Sequence, residues 1–170
     1  MPVVSLRYHF RQPLRVPADD AFRWCTDFAP SDGDLFSHRT RRRVDWVAPD
    51  TLVMTDTTYP DGTLRRIRRL VRIFPEEKAW TNTHLDGPFR HSQFWYRIVP
   101  VGRGRSYLDF HGLKVETVDR PLSAAEVRRR AAENGRSDAA EWRGYLAPAL
   151  ESDLVALPVG RPRRARPKRS

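Results

Sequence analysis

Residues 51–99 read TLVMTDTTYPDGTLRRIRRLVRIFPEEKAWTNTHLDGPFRHSQFWYRIV. Runs rich in Val, Ile, Thr and aromatic residues are separated by three turn signals: Pro60-Asp61-Gly62, Pro75-Glu76-Glu77-Lys78 and Asp86-Gly87-Pro88. Within the runs the period is two: Ile67, Val71 and Ile73 fall on one side, and Arg66, Arg68 and Arg72 on the other. No helical period intervenes, so each run pairs with the next as an antiparallel hairpin. The predicted strands are Leu52–Tyr59, Leu64–Phe74, Ala79–Leu85 and Phe89–Val99.

The pattern continues on both sides. Upstream, Arg39–Val47 alternates late, at Val44 and Trp46, and Pro49-Asp50 turns the chain. Downstream, Gly102-Arg103-Gly104 leads into Arg105–Val115. Near the N-terminus Leu6, Tyr8 and Phe10 alternate with Arg7, His9 and Arg11, and Leu14 and Val16 carry this strand past Pro13. A proline within it suits a sheet edge or a bulge. Pro17-Ala18-Asp19-Asp20 opens a helix with acids in its first turn, where they favour the positive end of the helix dipole. Residues 28–36 read as loop with one further helical turn.

The last element begins at Ser123-x-x-Glu126, which has the form of a capping box. Asn134-Gly135 is expected to stop this helix, with Ser137 or Asp138 capping a second, longer one. In the longer one, Trp142, Leu146, Leu150 and Leu154 make one apolar stripe, which Pro148 should kink. The predicted class is α+β: a curved antiparallel seven-stranded sheet wrapped around a long C-terminal helix, with one or two short helices after the first strand. A curved sheet with a helix laid across it encloses a cavity.

At 170 residues the chain is expected to form one domain, residues 1–157, followed by a disordered basic tail, 158–170. The formal net charge is +10, but the tail holds Arg161, Arg163, Arg164, Arg166, Lys168 and Arg169 and no acid, which leaves +4 for the domain. Six cations in thirteen residues predict nonspecific, salt-sensitive contact with nucleic acid or another anionic surface. No apolar run approaches the roughly 20 residues of a membrane helix. The N-terminus lacks a signal-peptide pattern, and Cys25 is the only cysteine, so the expected location is cytoplasmic.

Leu14-Arg15-Val16-Pro17-Ala18-Asp19-Asp20-Ala21-Phe22-Arg23-Trp24 resembles the strand end, proline and first helix of the START-like, or SRPBCC, superfamily. Tyr145-Leu146 through Asp153-Leu154 resembles its final helix. The resemblance covers about Leu6 to Leu157 and is nearest to the polyketide cyclase/dehydrase-type branch. It implies a helix-grip fold and a hydrophobic ligand. It supplies no catalytic motif, because the superfamily joins lipid carriers, cyclases, hormone binders and chaperone activators.

Hairpin arithmetic predicts the inner face. Centring the turns pairs Asp56 with Ile67, Met54 with Arg69, Val71 with Asn82, Arg69 with His84, His84 with His91, Asn82 with Gln93, and Trp80 with Trp95; cross-strand partners share a face. The expected ligand-binding set is Met54, Ile67, Val71, Trp80, Asn82, Gln93 and Trp95 from the sheet, with Trp142, Leu146 and Leu150 as the helical lid. The candidates for chemistry are His84 and His91 as proton shuttles, Arg69 as holder of an oxyanion, and Asp56. Cys25 is read as a buried small hydrophobe, His9 as outward-facing and Arg41-Arg42-Arg43 as a solvated face. His111 cannot be placed. No phosphate loop, nucleophile elbow or metal motif is present, so neither metal nor cofactor is expected. Two readings follow: a carrier of a hydrophobic or aromatic small molecule, lipid or polyketide-like, or a cofactor-independent cyclase, dehydratase or isomerase using the same cavity.

Overall fold

A computed structural model describes residues 1–32, 40–59 and 63–155. The Pro60-Asp61-Gly62 turn, residues 33–36 of the expected loop and the basic tail lie outside the described residues. Strand β1 (Val3–Leu14) leads to α1 (Ala18–Thr26) and a 3-10 turn (Pro30–Asp32). Strands β2 (Arg41–Ala48), β3 (Thr51–Thr58), β4 (Arg65–Phe74), β5 (Ala79–His84), β6 (Gln93–Pro100) and β7 (Ser106–Thr117) follow, with a 3-10 turn (Pro75–Glu77) between β4 and β5. The C-terminal helix comprises α2 (Ala124–Glu141), a π turn (Trp142–Leu146) and α3 (Ala147–Val155).

The seven strands form one antiparallel sheet in the order β1-β7-β6-β5-β4-β3-β2. Sequential hairpins account for every neighbour except β1 with β7. Pro13 lies in β1, an edge strand, where its missing N–H costs no ladder bond on the open side. One face is packed: Leu6, Leu14, Leu52, Val71, Ile98 and Leu108 are buried, and Leu150 of α3 is buried with Trp142 and Leu146 against the same core.

The C-terminal helix departs from the sequence expectation. The capping box is present: Glu126 N–H donates to Ser123 Oγ at 3.2 Å and Ser123 N–H donates to Glu126 Oε2 at 2.8 Å. Asn134-Gly135, however, does not end the helix. A Cβ at Gly135 would stand 3.3 Å from Tyr8 Cβ, so the glycine lets the helix lie close on β1. Asn134 Oδ1 accepts from Lys114 Nζ of β7 at 2.6 Å. Packing on the sheet overrides the local stop signal. Pro148 has no N–H to donate and its ring crowds the carbonyl four residues back. The chain widens to a π turn directly before it, with Ala147 N–H bonded to Trp142 O.

The registers β3–β4 and β4–β5 pair Met54 with Arg69, Asp56 with Ile67, Arg69 with His84 and Val71 with Asn82, as hairpin arithmetic gives. The β5–β6 register differs by one residue: Asn82 pairs with Phe94 and Trp80 with Tyr96. The cause is a bulge. His91 takes φ 73° and donates its N–H to His84 O, while His84 N–H donates to Ser92 O, both at 2.9 Å. Two residues thus face one, and every side chain of β6 moves to the opposite face.

Candidate functional site

A cavity of about 350 Å³ lies between the concave face of the sheet and the C-terminal helix. Its wall is mostly aromatic. The Trp80 and Tyr96 rings stack at 4.8 Å, 2° from parallel, and Tyr96 meets Phe110 edge-on at 5.0 Å. Phe94, Trp24 and Phe28 extend this wall, and Trp142 and Leu146 come from the helix.

The other end is polar, built from β2, β3, β4 and β5. Asp56 accepts from Arg42 Nε at 2.8 Å and Arg42 Nη2 at 2.9 Å, a bidentate pair, and from Arg69 Nη1 at 2.6 Å. The side chains of Arg42 and Asp56 are 5% and 8% exposed. Burial pushes the Asp56 carboxyl up, but the hydrogen bonds and charges of Arg42 and Arg69 outweigh it and hold its pKa below the usual carboxylate range. Arg69 Nε donates to His84 Nε2 at 3.3 Å. Burial, reinforced by the Arg69 charge, lowers the His84 pKa to about 4, so the ring is neutral at pH 7. A guanidinium only donates, so Nε2 is the acceptor and the ring proton sits on Nδ1. Among the described residues that buried Nδ1–H has no hydrogen-bond partner, and neither has the buried Asn82 Oδ1, two residues away on the same face of β5.

On the helical side Asp138 and Glu141 line the cavity one turn apart. Tyr8 donates its hydroxyl to Asp138 Oδ2 at 2.6 Å, which ties α2 to β1. Burial raises the Asp138 pKa despite that bond and the nearby Lys114 charge. Cys25 also lines the cavity; burial, with the charges of Asp27 and Asp32, raises its pKa and keeps it a thiol.

The structure brings Met54, Asp56, Ile67, Arg69, Trp80, Asn82, His84, Trp142 and Leu146 to the cavity. Five expected positions fall elsewhere. Gln93 and Trp95 lie on the convex face with Arg7, Arg72 and Phe74, because the bulge reverses the parity of β6. His91 is exposed on the bulge, opposite His84 in the backbone but outside the cavity wall. Val71 and Leu150 are fully buried in the packed core and do not line the cavity.

Phe94 and Tyr96 take the places assigned to Gln93 and Trp95, and no local signal marks that shift. Arg42 is a correction with a legible signal: it shares the parity of Val44 and Trp46 and pairs with Asp56 in the β2–β3 ladder, so it is not on a solvated face. Outside the cavity, on the convex face, Asp109 gathers His9, His111 and Arg11.

No protein-family model and no curated protein matches the chain. Its fold is nonetheless that of known structures. It is similar to the ZhuI aromatase/cyclase from Streptomyces sp. R1128, with a TM-score of 0.67 at 14% identity over 90% of this chain and 98% of that one. Norcoclaurine synthase from Thalictrum flavum aligns with a TM-score of 0.64 at 12% identity, over 91% and 89% of the two chains. A START superfamily protein from Mycobacterium smegmatis gives 0.58 at 18%, over 88% and 97%. The chain has the START-like helix-grip fold. Among the described residues no helix is long and apolar enough to cross a membrane.

Proposed function

We propose that this protein binds a planar, largely apolar small molecule in the cavity, with a polar group of the ligand turned toward Arg69, Asn82 and His84. One observation carries this reading: an aromatic-walled cavity whose unpartnered buried polar atoms, His84 Nδ1 and Asn82 Oδ1, cluster at one end. Each unmet group costs roughly 1–3 kcal/mol in the empty protein. A ligand that carries a hydroxyl or carbonyl group, with a small rotation of these side chains, relieves that cost, while its ring system stacks against Trp80 and Tyr96. The structures of similar fold include an aromatase/cyclase and a norcoclaurine synthase in complex with dopamine and hydroxybenzaldehyde, which supports an aromatic ligand class.

The test is tryptophan quenching by 1-naphthol, with naphthalene as the apolar control and native mass spectrometry of the purified protein for a retained ligand. Saturable quenching that weakens in Trp80→Leu supports the reading. No saturable binding of either probe and no retained ligand would remove it.

A second reading is favoured by the neutral His84 ring held beside a guanidinium: an enzyme of the cyclase, dehydratase or isomerase kind acting on a ligand in the same cavity. There the Arg69 guanidinium stabilises a developing oxyanion, and His84 moves a proton at Nδ1. It predicts that His84→Ala and Arg69→Ala abolish turnover and largely spare binding; equal loss of both favours a carrier. The basic tail adds, in our reading, only nonspecific contact with anionic surfaces, which deletion of residues 158–170 would abolish at low salt.

A further inference from the structure

The convex face of the sheet, on the far side from the cavity, carries the second concentration of chemistry-bearing side chains. His9 of β1 and His111 of β7 are direct cross-strand partners, and their rings lie 4.4 Å apart. Asp109 stands two residues before His111, on the same face. His9 Nε2 is 2.8 Å from Asp109 Oδ1, and His111 Nε2 is 3.4 Å from Asp109 Oδ2. One donor atom from each of the three residues lies within 4.8 Å of the other two.

Donor atoms about 2.0–2.2 Å from a tetrahedral ion stand roughly 3.3–3.5 Å from one another. The three donor atoms lie within 4.8 Å of one another, a gap that side-chain rotation can close to that spacing. We infer that His9, Asp109 and His111 form a binding site for one divalent transition-metal ion of the zinc class, with solvent water completing its coordination. Two imidazoles and one carboxylate suit zinc, copper or nickel, and disfavour magnesium and calcium, which take oxygen ligands. The paired ladder holds the ligands in place before the ion arrives.

Two arginines oppose the ion. Arg11 Nε donates to Asp109 Oδ1 at 3.1 Å, and Arg97 pairs with Asp109 across the β6–β7 ladder. Arg11 is exposed and its guanidinium also sits 5.1 Å from the centre of the Tyr107 ring, which gives it a place to rest when displaced. In so exposed a setting water screens the repulsion, so the arginines weaken the site without closing it. An ion here clasps β1, an edge strand, to β7.

The test is calorimetric titration of the untagged full-length chain with zinc chloride, alongside thermal unfolding and the visible absorption of a cobalt(II) complex. We expect one saturable equivalent, a raised Tm, and no competition from excess magnesium. His9→Gln and His111→Gln should each weaken binding by about tenfold or more, and together abolish it; Arg11→Ala should tighten it several-fold. These positions are at the surface, so the variants should keep the wild-type circular dichroism, and His91→Gln should leave binding unchanged. Absence of saturable zinc binding, or binding that survives the double histidine variant in the folded protein, would overturn the inference.

Discussion

Arg69 holds His84 by a hydrogen bond from Nε to Nε2 across the β4–β5 ladder, and the same guanidinium holds Asp56 across β3–β4. One arginine therefore sets both the charge of the polar cluster and the tautomer of its histidine.

The first prediction concerns pH. The folded-state pKa of His84 is about 4, below the ordinary 6.5. The unfolded chain binds this proton between those values and the folded chain does not, so stability falls as pH drops through that window. The His84 contribution is fully present above about pH 6.5 and is worth roughly 2–4 kcal/mol. Urea unfolding at pH 7 and pH 5 should show a smaller drop in His84→Phe than in the wild type. An equal drop in both proteins would place the slope on other groups.

Asp56→Asn removes the carboxylate that bridges Arg42 and Arg69. Loss of one member of a buried ion network costs about 3–5 kcal/mol. The sign with pH is the same as for His84: a depressed carboxyl pKa stabilises above the unfolded value, and this is lost as pH falls through the folded one. Guanidinium midpoints should therefore separate wild type and variant widely at pH 7 and bring them together in acid.

Asn82→Leu replaces an unpartnered buried acceptor with an apolar group of similar size. Such a change is neutral or stabilising by about 1 kcal/mol when no partner is lost. The same variant should lose the preference for naphthol over naphthalene. A destabilised protein that keeps that preference would show that Asn82 serves structure and not ligand.

Gly112→Ala tests the seam between β1, β7 and the C-terminal helix. An added Cβ would meet Tyr8 Cζ at 2.6 Å, and Tyr8 is held by its bond to Asp138 and its contact with Phe110. Overpacking of this kind costs about 1–3 kcal/mol. Thermal unfolding should show the loss, and Tyr8→Leu in the same chain should recover part of it.

Much of the fold was legible because the signals are local. Alternation at Ile67, Val71 and Ile73 marks a strand, Ser123 with Glu126 marks a helix start, and the turn before Ala79 fixes the β4–β5 register. The site was legible to the same depth: Asp56, Arg69, Asn82 and His84 follow from two hairpins. The third hairpin failed because its turn is asymmetric. A left-handed His91 is one of several ways to close eight residues, and nothing in Leu85–Ser92 selects it locally. Asn134-Gly135 misled for a related reason: the glycine serves contact with Tyr8, distant in sequence, and not helix termination.

By itself the sequence determined the order of elements, the antiparallel hairpins and the cross-strand placement of Arg69 with His84, since turn chemistry and two-residue periodicity act over a few positions. Only the tertiary structure decided which face of β6 turns inward, that Arg42 joins Asp56 inside, and that His9 meets His111. Pairing β1 with β7 closes about a hundred residues of chain, and that register depends on how the whole sheet curves around its core.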